Sequence, residues 1–228
     1  MGLSRQTRTT LVSALIAAPV GACVAIFVHP SPEALNGFLH SETLWRVVPG
    51  LAIYIAFSIY WDIAAKKAAS LARSESRVSS IAHQLLIALS LLAIVLPVPG
   101  LRQRFLAPSF VFVFLGLVIE LGGVAVAIWA RHVLGSNWSR AVAITERHRL
   151  VREGPYARVR HPIYSGALLM YLGLAIAVGE VHALVGLALV CLAYWRKIAM
   201  EERLLSNTYG ETFEQYKRAS RSVIPFVI

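Results

Sequence analysis

The sequence predicts an all-α protein that crosses a membrane several times, as a polytopic helix bundle with five to six spans. Hydrophobic residues make up 57% of the 228 residues and charged residues only 15%, whereas about a quarter of the residues in a soluble domain are charged. The mean hydropathy is +0.64, and the apolar residues are grouped in long blocks. Such blocks are typical of lipid-embedded helices and exclude a soluble globular domain.

Six apolar blocks are candidate spans and set the order of elements along the chain. They cover residues 11–28, 44–64, 81–99, 109–130, 163–179 and 183–198. Each of the last two has about 16–17 residues, which at 1.5 Å per residue barely crosses a ~30 Å hydrocarbon core. A short turn containing Gly179 separates them. We therefore expect a helical hairpin, with one long kinked helix as the alternative.

Basic residues are unevenly distributed among the polar segments, and this predicts the orientation in the membrane. Of 22 lysines and arginines, 19 lie in the N-terminal segment, the 65–80 loop, the 131–162 segment and the C-terminal segment. The other three are Arg46, Arg102 and Arg104. Positive residues stay in the cytoplasm, so both termini are expected there. The net charge of +10 is attributed to topology and to contact with anionic lipids, and nucleic acid is not expected as a partner.

The polar segment before the hairpin holds the densest group of chemically special residues. It runs from Arg152 to Gly166 and contains two prolines and an internal glycine, which interrupt a continuous helix. It therefore delivers Arg160 and His161 to the start of the fifth span, where Pro162 suits the first helical turn. Free backbone N–H groups at a helix start favour anions. The alternative is that these basic side chains are membrane-interface anchors.

A second group follows the sixth span and begins with the adjacent carboxylates Glu201 and Glu202. They form either part of a site or a solvated pair of charges. Between residues 200 and 222 the pattern predicts two short cytoplasmic helices, with Gly210 as the break. The apolar positions with helical spacing are Leu204, Leu205, Tyr209, Phe213 and Tyr216.

The motifs of these two groups, in order, are Gly154-Pro155-Tyr156, Arg160-His161-Pro162-x-Tyr164-x-Gly166, Glu201-Glu202-x-x-Leu205, Tyr209-Gly210, Tyr216-Lys217 and the terminal Ile224-Pro225. Together they resemble the isoprenylcysteine carboxyl methyltransferase family, and its bacterial members in particular. The match covers about residues 110–228, whereas the first hundred residues are similar only as generic spans. The chain departs from the family at Ser220-Arg221-Ser222-Val223, where many members carry a Val-Pro pair.

The resemblance implies a membrane methyltransferase with a cytoplasmic pocket for S-adenosyl-L-methionine. Residues 1–108 would form the N-terminal transmembrane helices and residues 109–228 the methyltransferase core. The methyl group would pass to a lipid-like acceptor, such as the carboxylate of an isoprenoid or an isoprenylcysteine. By the same resemblance the cofactor would be held by Gly154, Tyr156, Arg160, His161, Pro162, Tyr164, Glu202 and Tyr216. The candidate catalytic residues are Arg160, Glu201 and Arg203.

The chemistry of this cofactor agrees with these residue types. Arg160 or His161 can hold its carboxylate, a glutamate of the pair can hold its ammonium or ribose hydroxyls, and tyrosine rings can face its sulfonium or adenine. Methylation of a carboxylate needs no deprotonating base, so positioning and exclusion of water dominate. We expect Arg160 or Arg203 to steer the acceptor. An amine or phenol acceptor would need a base, which a glutamate could supply.

Other functions remain as alternatives. An NADPH-dependent membrane reductase of sterols or isoprenoids has related architecture. A di-iron enzyme is excluded because no two of the seven histidines lie within four residues of each other, and two cysteines imply neither a disulfide framework nor a metal site. A transporter or scaffold would scatter polar residues through the spans. The expected partners are membrane lipids and a lipophilic or prenylated substrate, in a bacterial inner membrane, with the oligomeric state open.

Glu120 lies near the centre of the fourth candidate span, among three glycines. An ionised carboxylate there is costly, so the side chain is expected to face protein or water, or to stay protonated. The neighbouring glycines allow close helix contact and favour a hydrogen bond between helices. A role near a substrate tunnel is the alternative.

Overall fold

The computed structural model describes residues 44–66, 76–98, 100–135, 138 and 150–223, which form helices and turns with only isolated β-bridges. A single 3-10 turn at Gly154–Ala157 precedes α4. The predicted first span, 11–28, and much of the 65–80 and 131–162 segments lie outside the described residues. The helices are α1 (Leu44–Lys66), α2 (Arg77–Val95), α3 (Phe110–Leu134), α4 (Pro162–Val178), α5 (Val181–Tyr209) and α6 (Glu211–Ala219).

Four of these helices, α1, α2, α3 and α5, are long and apolar enough to cross a membrane, and α4 is apolar but has only 17 residues. Large apolar side chains face outward along them; Phe110 is 72% exposed and Trp195 70%. Lipid tails solvate such surfaces, whereas water would not. The predicted polytopic membrane helix bundle is therefore confirmed.

The hairpin is also confirmed. Helix α4 ends at Gly179, whose φ of 68° is left-handed and costs glycine little, and its N–H donates to the carbonyl of Ala175. Helix α5 then starts at Val181 and returns antiparallel to α4, because His161 at the start of α4 meets Glu202 near the end of α5. A single kinked helix is excluded.

Helices α3 and α4 pack with their backbones in contact. A Cβ atom at Gly116 would collide with the carbonyl oxygen of Gly173, and one at Gly123 with that of Gly166. The contacts run in opposite directions along the two helices, so the pair is antiparallel. Small residues allow this close approach in a lipid environment, where the hydrophobic effect does not drive helices together.

A polar cluster closes the end of the bundle opposite to Arg160. The buried carboxylate of Glu180, at the hairpin turn, accepts hydrogen bonds from Arg104 at 3.1 Å and from the ring of His182 at 3.1 Å. Arg102 lies 3.8 Å from the same carboxylate. Arg102 and Arg104 are therefore at this end. They are two of the three basic residues that lie outside the four polar segments predicted to be cytoplasmic.

Two predicted boundaries are wrong. Residues 200–209 form the last turns of α5 instead of a separate short helix, because no glycine or proline interrupts the chain between Gly186 and Gly210. Helix α6 alone follows the break at Gly210, where φ is 51°. Helix α2 ends at Val95 instead of residue 99, because Leu96 precedes a proline and takes extended backbone angles.

Glu120 is 1% exposed, between α1, α3 and α4. Space for its carboxyl group exists because Gly50 has no side chain, and Leu174 lies beside the same glycine. Both carboxyl oxygens are buried without a hydrogen-bond partner among the described residues. Glu120 therefore does not form the predicted hydrogen bond between helices with any residue that the structure describes.

Candidate functional site

The segment before α4 is held by the chain that follows α6. The N–H of Arg160 donates to the carbonyl of Arg221 at 2.7 Å, and the N–H of His161 donates to that of Ser222 at 3.0 Å. In return the N–H of Arg221 donates to the carbonyl of Arg158 at 2.9 Å. His161 occupies the N-cap position of α4 and Pro162 its first turn. The two polar segments predicted from the sequence are therefore adjacent in space.

Five side chains from these segments form an ionic group, which we call the carboxylate cluster: Arg160, His161, Glu201, Glu202 and Lys217. One oxygen of Glu202 accepts from Nε of Arg160 at 2.9 Å and from Nε2 of His161 at 3.2 Å. Its other oxygen lies 3.8 Å from Nζ of Lys217. Arg160 also donates to the carbonyl of Ser220 at 2.6 Å. Glu202 is thus the acceptor that joins α4, α5 and α6.

Glu201 retains capacity to bind a ligand. Its Oε2 atom is buried and has no well-aligned hydrogen bond, although Nδ1 of His161 lies 3.5 Å away. A buried carboxylate oxygen normally accepts several hydrogen bonds. The ammonium or the ribose hydroxyls of S-adenosyl-L-methionine would complete this set, so the residues present fit the cofactor.

Aromatic rings continue from the cluster toward the apolar part of the bundle. The ring of His161 stacks on that of Tyr164 with 5.6 Å between centroids and 10° between planes. Tyr164 contacts Tyr194 of α5 at 5.1 Å. The ammonium of Lys197 lies 5.9 Å from the Tyr164 ring centroid. Aromatic faces beside a cation are suited to a ligand that combines a planar base, a positive sulfonium and a carboxylate.

Tyr156 and Tyr216 connect the 3-10 turn to α6. The hydroxyl of Tyr216 donates to the carbonyl of Tyr156 at 2.6 Å, and both side chains are buried. The guanidinium of Arg152 lies over the Tyr216 ring at 5.3 Å and donates to the carbonyl of Thr212 at 2.6 Å. Burial raises the pKa of Tyr216 to about 12 and raises that of Tyr156 as well. Both phenols are therefore neutral at physiological pH.

The charge state of His161 follows from two opposing effects. Burial lowers the pKa of this imidazole, but the nearby carboxylates of Glu201 and Glu202 outweigh burial. The pKa therefore lies above the ordinary value of 6.5, because both carboxylates stabilise the protonated ring. The carboxylate cluster thus favours the protonated form of His161.

The structure brings most of the predicted site residues together. Arg160, His161, Tyr164, Glu201 and Glu202 are in direct contact, Tyr156 and Tyr216 are in contact beside them, and Gly154 and Pro162 begin the 3-10 turn and α4. Arg203 instead lies on the exposed side of α5.

Sequence reasoning missed Tyr194 and Lys197. The signal was present, because residues 194, 197 and 201 are spaced to share one face of α5. Both side chains also contact Tyr164, so they extend the site along the membrane-spanning part of the hairpin.

Comparison with known proteins adds independent findings. The family model for phospholipid methyltransferases matches residues 111–212. Protein-S-isoprenylcysteine O-methyltransferase B of Arabidopsis thaliana is 29% identical over 132 residues, which are 57% of this chain and 64% of that protein. Protein-S-isoprenylcysteine O-methyltransferase of Schizosaccharomyces pombe is 34% identical over 99 residues, which are 41% of this chain and 41% of that protein. The alignments thus span less than two thirds of these relatives.

The fold also has a counterpart among solved structures. One is the eukaryotic intramembrane Ras methyltransferase, an isoprenylcysteine carboxyl methyltransferase. The alignment covers 98% of this chain and 88% of that chain, with a TM-score of 0.51. At 16% identity this likeness concerns the fold alone. The family model covers Arg160, His161, Glu201 and Glu202 of the carboxylate cluster. The chain is thus similar in sequence to protein-S-isoprenylcysteine O-methyltransferases.

Proposed function

We propose that this chain is an integral membrane methyltransferase that uses S-adenosyl-L-methionine and methylates the carboxylate of a lipid-like acceptor. The observation that carries the proposal is the carboxylate cluster, in which residues 160–161 and 201–202 meet around a buried carboxylate oxygen that lacks a hydrogen bond. The methyltransferase relatives support this function over an NADPH-dependent reductase. The names of these relatives point to an isoprenylcysteine as the acceptor, and an isoprenoid acid is a lipid-like carboxylate of the same kind.

The roles of the residues follow from their contacts. Glu201 would hold the ammonium or ribose of the cofactor, and the Tyr164 ring would face its sulfonium or adenine. When bound, the cofactor supplies a methyl group activated by its positive sulfur. Arg160 is already bonded to Glu202 and to the carbonyl of Ser220, so it positions the cluster. Lys197, which lies on the apolar side of Tyr164, is better placed than the exposed Arg203 to attract an acceptor carboxylate.

Orientation and compartment belong to the same proposal. The cluster is formed by described residues of two basic segments, the one before α4 and the one that ends the chain, which supports a cytoplasmic site and cytoplasmic termini. We further propose that residues 109–228 form the methyltransferase core, and that the membrane is a bacterial inner membrane. A lipid-like acceptor would enter sideways between helices, because its apolar part never has to leave the bilayer.

The test is methyl transfer from radiolabelled S-adenosyl-L-methionine to lipid extracts by the purified full-length protein. We expect a labelled, lipid-soluble and base-labile product, because a carboxyl methyl ester is cleaved by base. His161→Ala and Glu202→Gln should each lower the yield at least tenfold, since each removes a charge-assisted hydrogen bond of the cluster. The matched control is Glu211→Gln, which alters only an exposed pair with Arg218. A base-stable product, or no product with any extract, would contradict the proposal.

A further inference from the structure

The turn between α4 and α5 holds a second group of buried titratable side chains, at the end of the bundle opposite to the carboxylate cluster. Glu180 is 4% exposed and His182 1%. The segment between α2 and α3 pairs with this turn through backbone hydrogen bonds. The N–H groups of Phe105 and Leu106 donate to the carbonyl of Gly179, that of Val181 to the carbonyl of Gln103, and that of His182 to the carbonyl of Leu101. We call the paired residues 101–106 and 179–182 the turn clasp.

Both ring nitrogens of His182 face hydrogen-bond acceptors. Nδ1 lies 2.8 Å from the backbone carbonyl oxygen of Ala93 on α2, and a carbonyl oxygen can only accept. Nδ1 therefore carries a hydrogen. Nε2 lies 3.1 Å from Oε2 of Glu180, so this contact needs a second hydrogen, either on the ring or on the carboxyl group. The two side chains thus hold one proton more than a neutral imidazole beside an ionised carboxylate.

The neighbouring charges assign this extra proton to the imidazole. Nη1 of Arg104 donates to Oε1 of Glu180 at 3.1 Å, and Nε of Arg102 lies 3.8 Å from Oε2. Two guanidinium groups beside a carboxylate favour its ionised form. His182 is then an imidazolium that donates from both nitrogens, to α2 on one side and to the turn on the other.

The helices around this ring add few charges to those of the turn clasp. The last six residues of α2, the first ten of α3 and all of α4 are uncharged, and so are residues 183–195 of α5. The first turn of α1 contributes the buried Arg46, beside Val47, which belongs to the same apolar cluster as Val178. In the described part of the chain, Glu180 is thus the one anion near the ring, and the arginines oppose the positive charge of the ring.

We propose that the proton on His182 closes the turn clasp, and that the clasp opens when this proton is lost. Without the proton, the lone pair of Nε2 lies against a carboxylate oxygen, and two acceptors at hydrogen-bond distance repel each other. The imidazole joins the end of α2 to the hairpin through Ala93, so opening releases α2 from the turn. The packing of these helices then responds to the pH on the side of the membrane that the turn faces. The inference is independent of the proposed function.

The test is hydrogen exchange of the full-length protein in detergent, followed by mass spectrometry of peptides that cover residues 100–107. An exposed imidazole loses its proton at about pH 6.5. Above this pH each opening therefore releases one proton and becomes more favourable by up to about tenfold per pH unit. After correction for the intrinsic exchange rate, we expect the protection of the amides of Phe105 and Leu106 to fall at least tenfold between pH 6.5 and pH 9.

Glu180→Gln separates the proton from the contacts themselves. The amide nitrogen of glutamine can donate to Nε2 of a neutral His182 while the amide oxygen still accepts from Arg104. The clasp should then stay closed without the extra proton, and protection at residues 105–106 should change less than twofold over the same pH range. His182→Gln cannot take up a proton, so its protection should be lower than that of the wild type at pH 6.5 and independent of pH. It replaces Glu180→Gln if that variant does not fold.

The matched control is Glu211→Gln, which lies outside the turn clasp and alters only an exposed pair with Arg218. It should keep the full pH response of the wild type at residues 105–106. Protection that does not change with pH in the wild type would overturn the inference. A pH response of the same size in the wild type and in the variant at position 180 or 182 would overturn it as well, since another group would then be titrating.

Discussion

His161 connects three elements of the chain through one imidazole ring. It caps α4, its two nitrogens face Glu201 and Glu202 of α5, and its ring stacks on Tyr164. Removing one member of such a buried group leaves the others without a partner, and this costs more than the net value of the interaction. The candidate site and the local stability of this end of the bundle therefore depend on the same side chain.

This dependence predicts how stability changes with pH. Because the pKa of His161 in the folded protein lies above 6.5, its contribution to stability is fully present below about pH 6.5 and is lost as the pH rises through the folded-state pKa. We expect the melting temperature of the wild type to exceed that of His161→Gln most at pH 6. The difference should shrink toward pH 9. Differential scanning fluorimetry in one detergent measures it, and a difference that grows with pH would contradict the assignment.

At the scale of residues, the sequence predicted which side chains share a site but not how they pair. Glu202 and Arg160 are separated by 42 positions, and their contact depends on the return of α5 along α4. Local pattern carries no information on such a contact. We therefore propose that Arg160 positions Glu202, while Arg203 is exposed because it lies on another face of the same helix.

Helices α3 and α4 form the most closely packed pair, and their glycines make a direct test possible. A methyl group at Gly123 would meet the carbonyl of Gly166 and the backbone nitrogen of Met170 at 2.8 Å. Gly123→Ala should therefore lower the free energy of unfolding by about 1–3 kcal/mol, as overpacking does in a close-packed core. Thermal unfolding in detergent, followed by tryptophan fluorescence, is the measurement.

The control is the adjacent glycine. A Cβ atom at Gly122 would have no neighbour within 4 Å, so Gly122→Ala should leave stability unchanged or raise it by up to about 1 kcal/mol through helix propensity. Equal effects at the two positions would show that the contact between α3 and α4 is not as close as described.

The hairpin turn between α4 and α5 gives a second prediction at the scale of elements. Glu180 is 4% exposed and pairs with Arg104 and His182. Glu180→Ala leaves these donors without an acceptor and should destabilise the protein by about 3 kcal/mol. Glu211→Ala removes a largely exposed pair with Arg218 and should cost less than about 1 kcal/mol. Similar losses in the two variants would contradict a buried role for Glu180.

Elements were predicted well where composition alone decides them. The spans over residues 44–64, 109–130, 163–179 and 183–198 correspond to α1, α3, α4 and α5, because long apolar runs have few alternatives in lipid. The polar end of α5 was mispredicted because a change from apolar to charged residues marks the end of the apolar region and not the end of a helix. Helix α5 continues to Tyr209 and ends at Gly210.

The whole molecule has two unlike ends. One end collects the carboxylate cluster, α6 and the chain that returns over α4, while the opposite end is closed by Glu180 and its basic partners. Apolar side chains cover the surface between them. Under the proposed function, this arrangement would keep a water-soluble cofactor apart from a lipid-like acceptor until both reach Tyr164, as direct methyl transfer with exclusion of water requires.

Fold class and the location of the site were accessible from the sequence, because a membrane limits architecture strongly and the two motifs lie at one predicted face. The packing of α2 on α5 was not accessible. His83 is one histidine in an apolar run, and its contact with the ring of Tyr194 appears only when α2 and α5 are packed together.

The central claim is that residues 160–161 and 201–202 enclose S-adenosyl-L-methionine. Isothermal titration of the purified full-length protein with this cofactor, and separately with NADPH, tests the claim most directly. The account predicts binding of one S-adenosyl-L-methionine per chain, an affinity at least tenfold weaker in Glu202→Gln and in His161→Ala, and no heat from NADPH. Binding of NADPH instead, or unchanged affinity for S-adenosyl-L-methionine in both variants, would contradict it.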